Sequence, residues 1–264
     1  MICFNNLGLL GRLGNQMFQY AATKGIAARH GYEVIIPNHN RKIRDPFGFD
    51  LKIEIHEPFL MGSLNRLGVI QGVLEVNERM FTYDEELVEM CPDNTSISGY
   101  FQTEKYFKHI KDDIRKDFTF HKEIIDPCKE MIDDVGESIS LHVRRTDYNT
   151  NPNHADLDLS YYQEALNRMP KDIPVILFSD DTNWCKEQDI FSSDRFMVSE
   201  SDNHHVDLCL MTMCKYHINA NSSFSWWGAW LADSKRVIAP SKWFGAGLAH
   251  QNTADIYAEG WEVL

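Results

Sequence analysis

The chain has 264 residues, of which 43% are hydrophobic and 12% aromatic, and its formal net charge is −13. That apolar content excludes a disordered chain and suffices for one large or two modest domains with a real core. The acidity excludes nucleic acid or an anionic membrane surface as a partner held by overall charge, whereas a small phosphorylated ligand needs only two or three local cations. Cys3, Cys91, Cys128, Cys185, Cys209 and Cys214 form no Cys-x-x-Cys pair and no zinc spacing, so buried free thiols and a reducing compartment are expected. The first residues carry no leader pattern and no apolar run approaches ~20 residues. The expected setting is cytoplasmic, with peripheral association at a membrane left open.

The chain opens with a short apolar stretch and a Gly-rich turn, Gly11-Arg12-Leu13-Gly14. Residues 15–30 then space Phe18, Ala21, Ala22, Ile26 and Ala27 as a helix, and Gly31 is a suitable stop. Glu33 to Ile36 reads as a strand. Between residues 38 and 120 the pattern is weaker, with strands expected at Ile70–Val76 and Ser96–Tyr100 and a helix over Glu104–Phe118.

From Ser138 the pattern becomes regular. Strands are expected at Ile139–Val143, Val175–Phe178, Phe196–Val198, His217–Ala220 and Val237–Ala239. Helices alternate with them at Ser160–Met169, Thr182–Gln188, His204–Met213 and Ser223–Ala232. Such alternation predicts βαβ crossovers and a parallel sheet, a Rossmann-like domain. Its strands end in Arg144-Arg145-Thr146-Asp147, Ser179-Asp180-Asp181, Ser199-Glu200-Ser201, Asn221-Ser222-Ser223 and Pro240-Ser241, all on the edge where open parallel sheets bind ligands.

Two adjacent arginines after a buried strand suit a phosphate, because the guanidinium fork matches its oxygens bidentately. A structural ion pair between Arg145 and Asp147 competes with that reading. Asn221-Ser222-Ser223 begins an apolar helix whose amides and hydroxyls can meet an anion, and simple N-capping explains the same residues. Trp226, Trp227 and Trp230 read as core rather than as a sugar platform. Asp207, in the first turn of its helix, has an electrostatic reason to be there and could also accept two donors from a guanine edge. Asp156-Leu157-Asp158 has the Asp-x-Asp form that holds a divalent metal in many sugar-nucleotide transferases. It also precedes a helix that needs a cap, and no metal is expected.

These segments resemble a known family. Gly11 through Ala21, with Gly14-Asn15-Gln16 at its centre, is similar to the N-terminal signature of bacterial α-1,2-fucosyltransferases, glycosyltransferase family 11. His142-Val143-Arg144-Arg145-Thr146-Asp147 resembles the His-x-Arg-Arg-x-Asp motif shared with α-1,6- and protein O-fucosyltransferases. Phe178 to Asp181 and Asn219 to Leu231 are similar to later motifs. The resemblance implies an α/β fold of GT-B type, two Rossmann-like domains with parallel sheets facing a central cleft. Residues 1–130 would form the acceptor-side domain and 131–264 the donor-binding domain.

The implied reaction is inverting transfer of L-fucose from GDP-β-L-fucose to the 2-hydroxyl of a terminal galactoside, without a metal or other cofactor. Arg144 would meet the β-phosphate, while His142 and Asp207 would contact guanine. Ser222 and Ser223, with Asn221 and Phe224 of the same motif, and Ser179 and Asp180 at the sheet edge, complete the expected donor site. Asn15 and Arg12 would face the fucosyl group and phosphate. The base is not identified: Pro152 stands where α-1,6 relatives carry a Glu, leaving Asp147, His154 and Asp156. Another GDP-sugar transferase and a non-catalytic glycan-binding module are the alternatives, the latter having no need for Arg144-Arg145.

Overall fold

The computed structural model describes residues 1–36, 43, 45–47 and 73–264. They divide into two compact units, Met1–Phe120 with Asn252–Ile256, and His121–Gln251 with Tyr257–Leu264. The expected border at residue 130 lies within a helix, α4 (Lys122–Val135), that belongs wholly to the second unit.

In the first unit, β1 (Ile2–Cys3), β2 (Val34–Ile35), β3 (Leu74–Asn77) and β4 (Thr95–Ser98) form a parallel sheet in the order β2-β1-β4-β3. Residues 70–72 of the expected strand over Ile70–Val76 lie outside the described residues. Helix α1 (Leu13–His30) buries most of its length and ends at Gly31, whose φ of 68° is the left-handed conformation that closes a helix without a Cβ penalty. Helix α2 (Glu85–Glu89) is capped by Asp84. The helix expected over Glu104–Phe118 is broken into two 3₁₀ turns, Glu104–Tyr106 and Lys108–Ile110, followed by α3 (Lys111–Asp117). The break turns Tyr106 toward Phe101, with centroids 5.2 Å apart, and Phe107 toward Phe18 at 6.2 Å. A continuous α-helix would place these adjacent rings about 100° apart, and tertiary packing overrides the local pattern.

The second unit is the alternating βα domain that the sequence pattern predicts. Strands β5 (Ile139–Val143), β6 (Val175–Ser179), β7 (Phe196–Val198), β8 (Tyr216–Ile218), β9 (Arg236–Ala239) and β10 (Glu262–Val263) are all parallel, in the order β10-β9-β8-β5-β6-β7. Counted from the unit's first strand this is 6-5-4-1-2-3, the doubly wound dinucleotide-binding order, whose direction reverses between β5 and β8. Helices α5 (Leu159–Asn167), α6 (Thr182–Lys186), α7 (His204–Met213) and α8 (Ser223–Leu231) follow in turn. Ile139, Leu141 and Val143 of β5 join Val175, Leu177, Ile218 and Ile238 in one core, with Tyr162 and Leu166 packed against them.

The α8 tryptophans are core: Trp226 and Trp227 are fully buried and Trp230 nearly so, with Trp226 and Trp227 edge-on at 5.0 Å. All six cysteines are free and buried. No helix among the described residues is long and apolar enough to cross a membrane.

Helix α1 lies so close to the 3₁₀ segment that a Cβ at Gly25 would sit 2.1 Å from the Tyr106 carbonyl oxygen and 2.9 Å from the Phe107 Cα. Both are backbone atoms that cannot turn aside. Gly25→Ala should therefore destabilise the protein by about 1–3 kcal/mol, although Ala is intrinsically the better helix former by about 1 kcal/mol. Urea denaturation measures this, and a variant as stable as the parent would disprove the close packing.

Candidate functional site

The C-terminal edge of the second sheet collects most of the residues singled out in the sequence. β5 is paired on both sides and buried throughout, so its direction is fixed and Arg144 emerges at the point where strand order reverses. The Arg144 side chain is only 14% exposed. It pairs with Asp147 and, through Nη1 at 3.1 Å, with Asp180 beyond the end of β6. Its guanidinium carbon lies 5.3 Å from the centre of the Tyr148 ring.

The two arginines separate in role. Arg145 does not pair with Asp147. Neighbouring residues leaving a strand point to opposite sides, and Arg145 turns toward α6, where it lies 3.8 Å over the Trp184 ring and 3.4 Å from Asp181. Its backbone N–H donates to Asp180 at 2.9 Å, and the Thr146 hydroxyl donates to the other oxygen of the same carboxylate. Burial acts to raise the Asp180 pKa, but these hydrogen bonds and the charge of Arg144 outweigh it and hold the carboxylate below its ordinary value. Ser179 accepts from the Asp181 N–H at 3.0 Å, and Asp181 caps α6.

Tyr148 joins this cluster to the neighbouring strand end. Its hydroxyl donates to the Asn221 carbonyl at 3.2 Å, and its ring stacks on His154 with centroids 3.9 Å apart and planes 4° from parallel. The Asn221 amide nitrogen donates to the carbonyls of Ala155 and Trp243, both at 2.9 Å, fastening two loops beside the α8 entrance. Ser222 is the N-cap of α8, its hydroxyl accepting from the Phe224 N–H at 3.3 Å, and Ser223 opens the helix. Phe224 places its ring 5.9 Å from that of His142. The Arg144 and Ser222 ends of the site are thus neighbours, bridged by Tyr148 on one side and by His142 and Phe224 on the other.

His142 is buried, and its Nδ1 has no hydrogen-bond partner among the described residues. Burial, reinforced by the Arg144 charge, pushes its pKa down to about 3, so the imidazole is neutral. Asp207 does not cap its helix: Asn203 does, accepting from the His205 N–H. The Asp207 carboxylate instead accepts from the Ser199 hydroxyl at 2.6 Å, and burial raises its pKa to about 6 despite that bond. Of the Asp-x-Asp pair, Asp158 caps α5 by accepting from the Ser160 N–H at 2.8 Å, while Asp156 is exposed between buried Ala155 and Leu157.

In the first unit, Arg12 is exposed at the N-cap of α1, and Asn15, one turn on, accepts at Oδ1 from the Gln102 amide at 2.6 Å. Gly11 has a φ of +77°, and a Cβ there would meet the Asn15 side chain at 2.2 Å, so the turn requires glycine twice over. The sequence does not mark Tyr148, Trp184 or Gln102 as site residues. Tyr148 directly follows the arginine motif, but nothing in the spacing says what its ring stacks on, and the partners of Trp184 and Gln102 are distant in sequence.

The half-buried Asp207 carboxyl has a measurable consequence. Between the unfolded-chain value near 4 and its folded value of about 6, the folded protein retains a proton that the unfolded chain has lost. Its contribution to stability is therefore lost as pH rises through that window. Asp207→Asn should remove this part of the pH dependence, so that the variant gains stability relative to the parent between about pH 4 and 7. Parallel denaturation curves across that range test the assignment, and an unchanged stability difference would refute it.

Comparison with known proteins identifies the family. The chain matches the model of glycosyl transferase family 11 over residues 2–264. It is 32% identical over 265 residues to an Escherichia coli α-1,2-colitosyltransferase, covering 89% of this chain and 91% of that protein. It is 33% identical over 294 residues to the Escherichia coli O-antigen biosynthesis glycosyltransferase WbnK, covering 94% and 97%. A Bos taurus galactoside α-(1,2)-fucosyltransferase 1 is 26% identical over 246 residues, covering 86% and 66%. Among solved structures, the NodZ α-1,6-fucosyltransferase soaked with GDP-fucose has a TM-score of 0.54 at 14% identity, covering 87% of this chain and 92% of that one. POFUT1 in complex with GDP has a TM-score of 0.52 at 14% identity, covering 90% and 96%. These two are GT-B type fucosyltransferases, and the likeness establishes the α/β fold. The chain belongs to glycosyl transferase family 11.

Proposed function

We propose that this glycosyltransferase moves L-fucose from GDP-β-L-fucose to the 2-hydroxyl of a terminal galactoside, with inversion and without a metal. The observation that carries the reading is Arg144 at the switch point of a doubly wound sheet, one tyrosine away from the capped start of α8. Arg144 takes the β-phosphate, exchanging contacts with Asp147 and Asp180 for phosphate oxygens, and the Ser222 and Ser223 hydroxyls with the first α8 amides take others. Ionised Asp207 accepts two donors from guanine, with the neutral His142 and Phe224 beside it, while Asn15 and Arg12 serve the fucosyl and phosphate groups.

In this reading the galactose O2 attacks the anomeric carbon, the bond from that carbon to the β-phosphate oxygen breaks, and GDP leaves with the electron pair. Charge grows on the β-phosphate, and a preorganised guanidinium aimed there supplies the stabilisation without a strong acid. The O2 proton passes to a nearby base, for which Asp147, Asp156 and His154 are the candidates. A second donor calls for a direct trial because one relative is named a colitosyltransferase. Colitose is L-fucose without its 3-hydroxyl, so GDP-fucose and GDP-colitose differ by a single hydrogen-bonding group.

The deciding assay offers both donors with a panel of β-galactosides and reads the linkage by NMR. An α-1,2-fucosyl product is expected, and turnover with GDP-colitose alone would overturn the fucose assignment. Arg144→Ala should lower kcat/KM by roughly 10²–10³-fold with the fold intact, and Arg144→Lys should recover little because it cannot bind bidentately. Near-normal turnover in either would remove Arg144 from the phosphate. EDTA should leave the rate unchanged, whereas a loss reversed by magnesium or manganese would return Asp156 and Asp158 to the mechanism.

A further inference from the structure

In the first unit β1 and β4 are parallel, hydrogen-bonded neighbours. In the order β2-β1-β4-β3, the loops leaving β1 and β4 emerge side by side at the C-terminal edge of the sheet. Gln19 of α1 ties them together, its amide donating to the carbonyls of Leu10 and Gly99 at 3.1 Å each. The second loop then brings Gln102 onto Asn15. To do so the chain takes an unfavourable path: Gly99 has a φ of +155° and Phe101, a bulky residue, a φ of +51°. A non-glycine residue stays in that region only where its surroundings over-determine it.

Glu78, the residue after β3, supplies that constraint. Its backbone N–H continues the ladder to the Ser98 carbonyl at 2.8 Å. Its two carboxylate oxygens then accept separately, Oε2 from the Tyr100 N–H at 2.7 Å and Oε1 from the Phe101 N–H at 2.9 Å. Gly99 makes room for this clamp, since a Cβ there would lie 2.4 Å from the Glu78 Cβ. The Phe101 ring is buried against Phe4 at 6.2 Å and Tyr106 at 5.2 Å. Holding both successive amides in this way takes an acceptor with two oxygens, and Glu78 reaches them from a neighbouring strand.

We propose that Glu78 is a positioning residue for sugar transfer, clamping the Tyr100 and Phe101 amides so that Gln102 holds the Asn15 side chain in its working orientation. The proposal rests on the donor-facing role of Asn15 in the proposed transfer. The charged and titratable groups around the clamp are Asp84, which is paired with Arg79, and the phenols of Tyr106 and Tyr83. Burial, with a smaller push from Asp84, raises the Glu78 carboxyl to about 7 against the pull of the two amides. Protonation costs the clamp an acceptor, so it strengthens as pH rises through neutrality.

The test uses the full chain with saturating GDP-fucose and acceptor, and compares Glu78→Ala, Glu78→Gln, Asn15→Ala and the double variant Glu78→Ala/Asn15→Ala. Misplacing a reacting group's partner by about 1 Å costs on the order of 100-fold. Glu78→Ala should lower kcat by about that factor in a folded protein that still binds GDP by calorimetry. In the Asn15→Ala background it should cost less than about threefold more, because the two act as one unit. Glu78→Gln keeps one carbonyl acceptor and should fall between parent and Ala, without the rise of kcat between about pH 6 and 8 that is expected of the parent. If Glu78→Ala does not fold, Gln102→Ala carries the same test, with the same loss and the same non-additivity with Asn15→Ala. Near-parental kcat in Glu78→Ala, or losses that add fully to those of Asn15→Ala, would overturn the proposal while leaving the transfer reading standing. Near-parental kcat in Asn15→Ala would overturn the role of Asn15 and the clamp with it.

Discussion

The second unit depends on one buried strand. β5 is hydrogen-bonded to β6 on one edge and β8 on the other, and each of its five residues is buried. A strand held on all four sides cannot slip by one residue without turning its apolar side chains to the wrong face. Its C-terminal end is therefore a fixed point, and what leaves it is placed with the accuracy of the core. The strand order reverses at this same strand, which opens a crevice between the ends of β5 and β8. The arginine motif and the Asn-Ser-Ser cap stand on either side of that crevice.

The electrostatics of the site follow from placing a cation at the edge of an acidic protein. Arg144 is satisfied by Asp147 and Asp180, and Asp180 is itself held by Thr146 and the Arg145 amide. A guanidinium so oriented stays in place before any ligand arrives, which limits the entropy lost on binding. Asp147 remains 41% exposed, so its pair with Arg144 is modest in energy and exchangeable for another anion. His142, by contrast, lies deep enough to be neutral, and it adds shape and hydrogen-bonding capacity beside Phe224 rather than charge. Asp207 lies between these cases. It is desolvated enough to hold its proton up to about pH 6, yet its bond to the Ser199 hydroxyl leaves it further acceptor capacity.

Much of this architecture is legible in the sequence. The five expected strands of the second unit lie close to where the pattern places them, because period-2 and period-3.6 patterns interrupted by short polar loops have few other solutions. The edge cluster follows from that alternation, since parallel strands put all their C-terminal ends on one side. Local pattern fails where long-range packing decides. The segment over Glu104–Phe118 has helical composition, but Tyr106 and Phe107 are claimed by rings from other elements, and the chain breaks into 3₁₀ turns to serve both. The Arg145–Asp147 pair fails for a related reason: proximity in sequence is not proximity across a strand end, and Trp184 and Asp181 from the next βα unit offer Arg145 a better seat.

The sequence by itself determined the chemistry available and its order along the chain: two arginines after a buried strand, a capped apolar helix with three core tryptophans, and a Gly-rich turn ahead of a buried helix. Those are local properties, fixed by residue type and spacing. Only the tertiary structure decided the partnerships: Arg144 with Asp147 and Asp180, Tyr148 across to Asn221, Gln102 on Asn15, and Glu78 on the amides of a neighbouring loop. Most of these contacts join residues tens of positions apart, and even the short-range Arg144–Asp147 pair depends on how the strand end is packed. Their geometry is set by the register of parallel strands and by which backbone atoms packing leaves unpaired. Neither is written in any one segment of the chain.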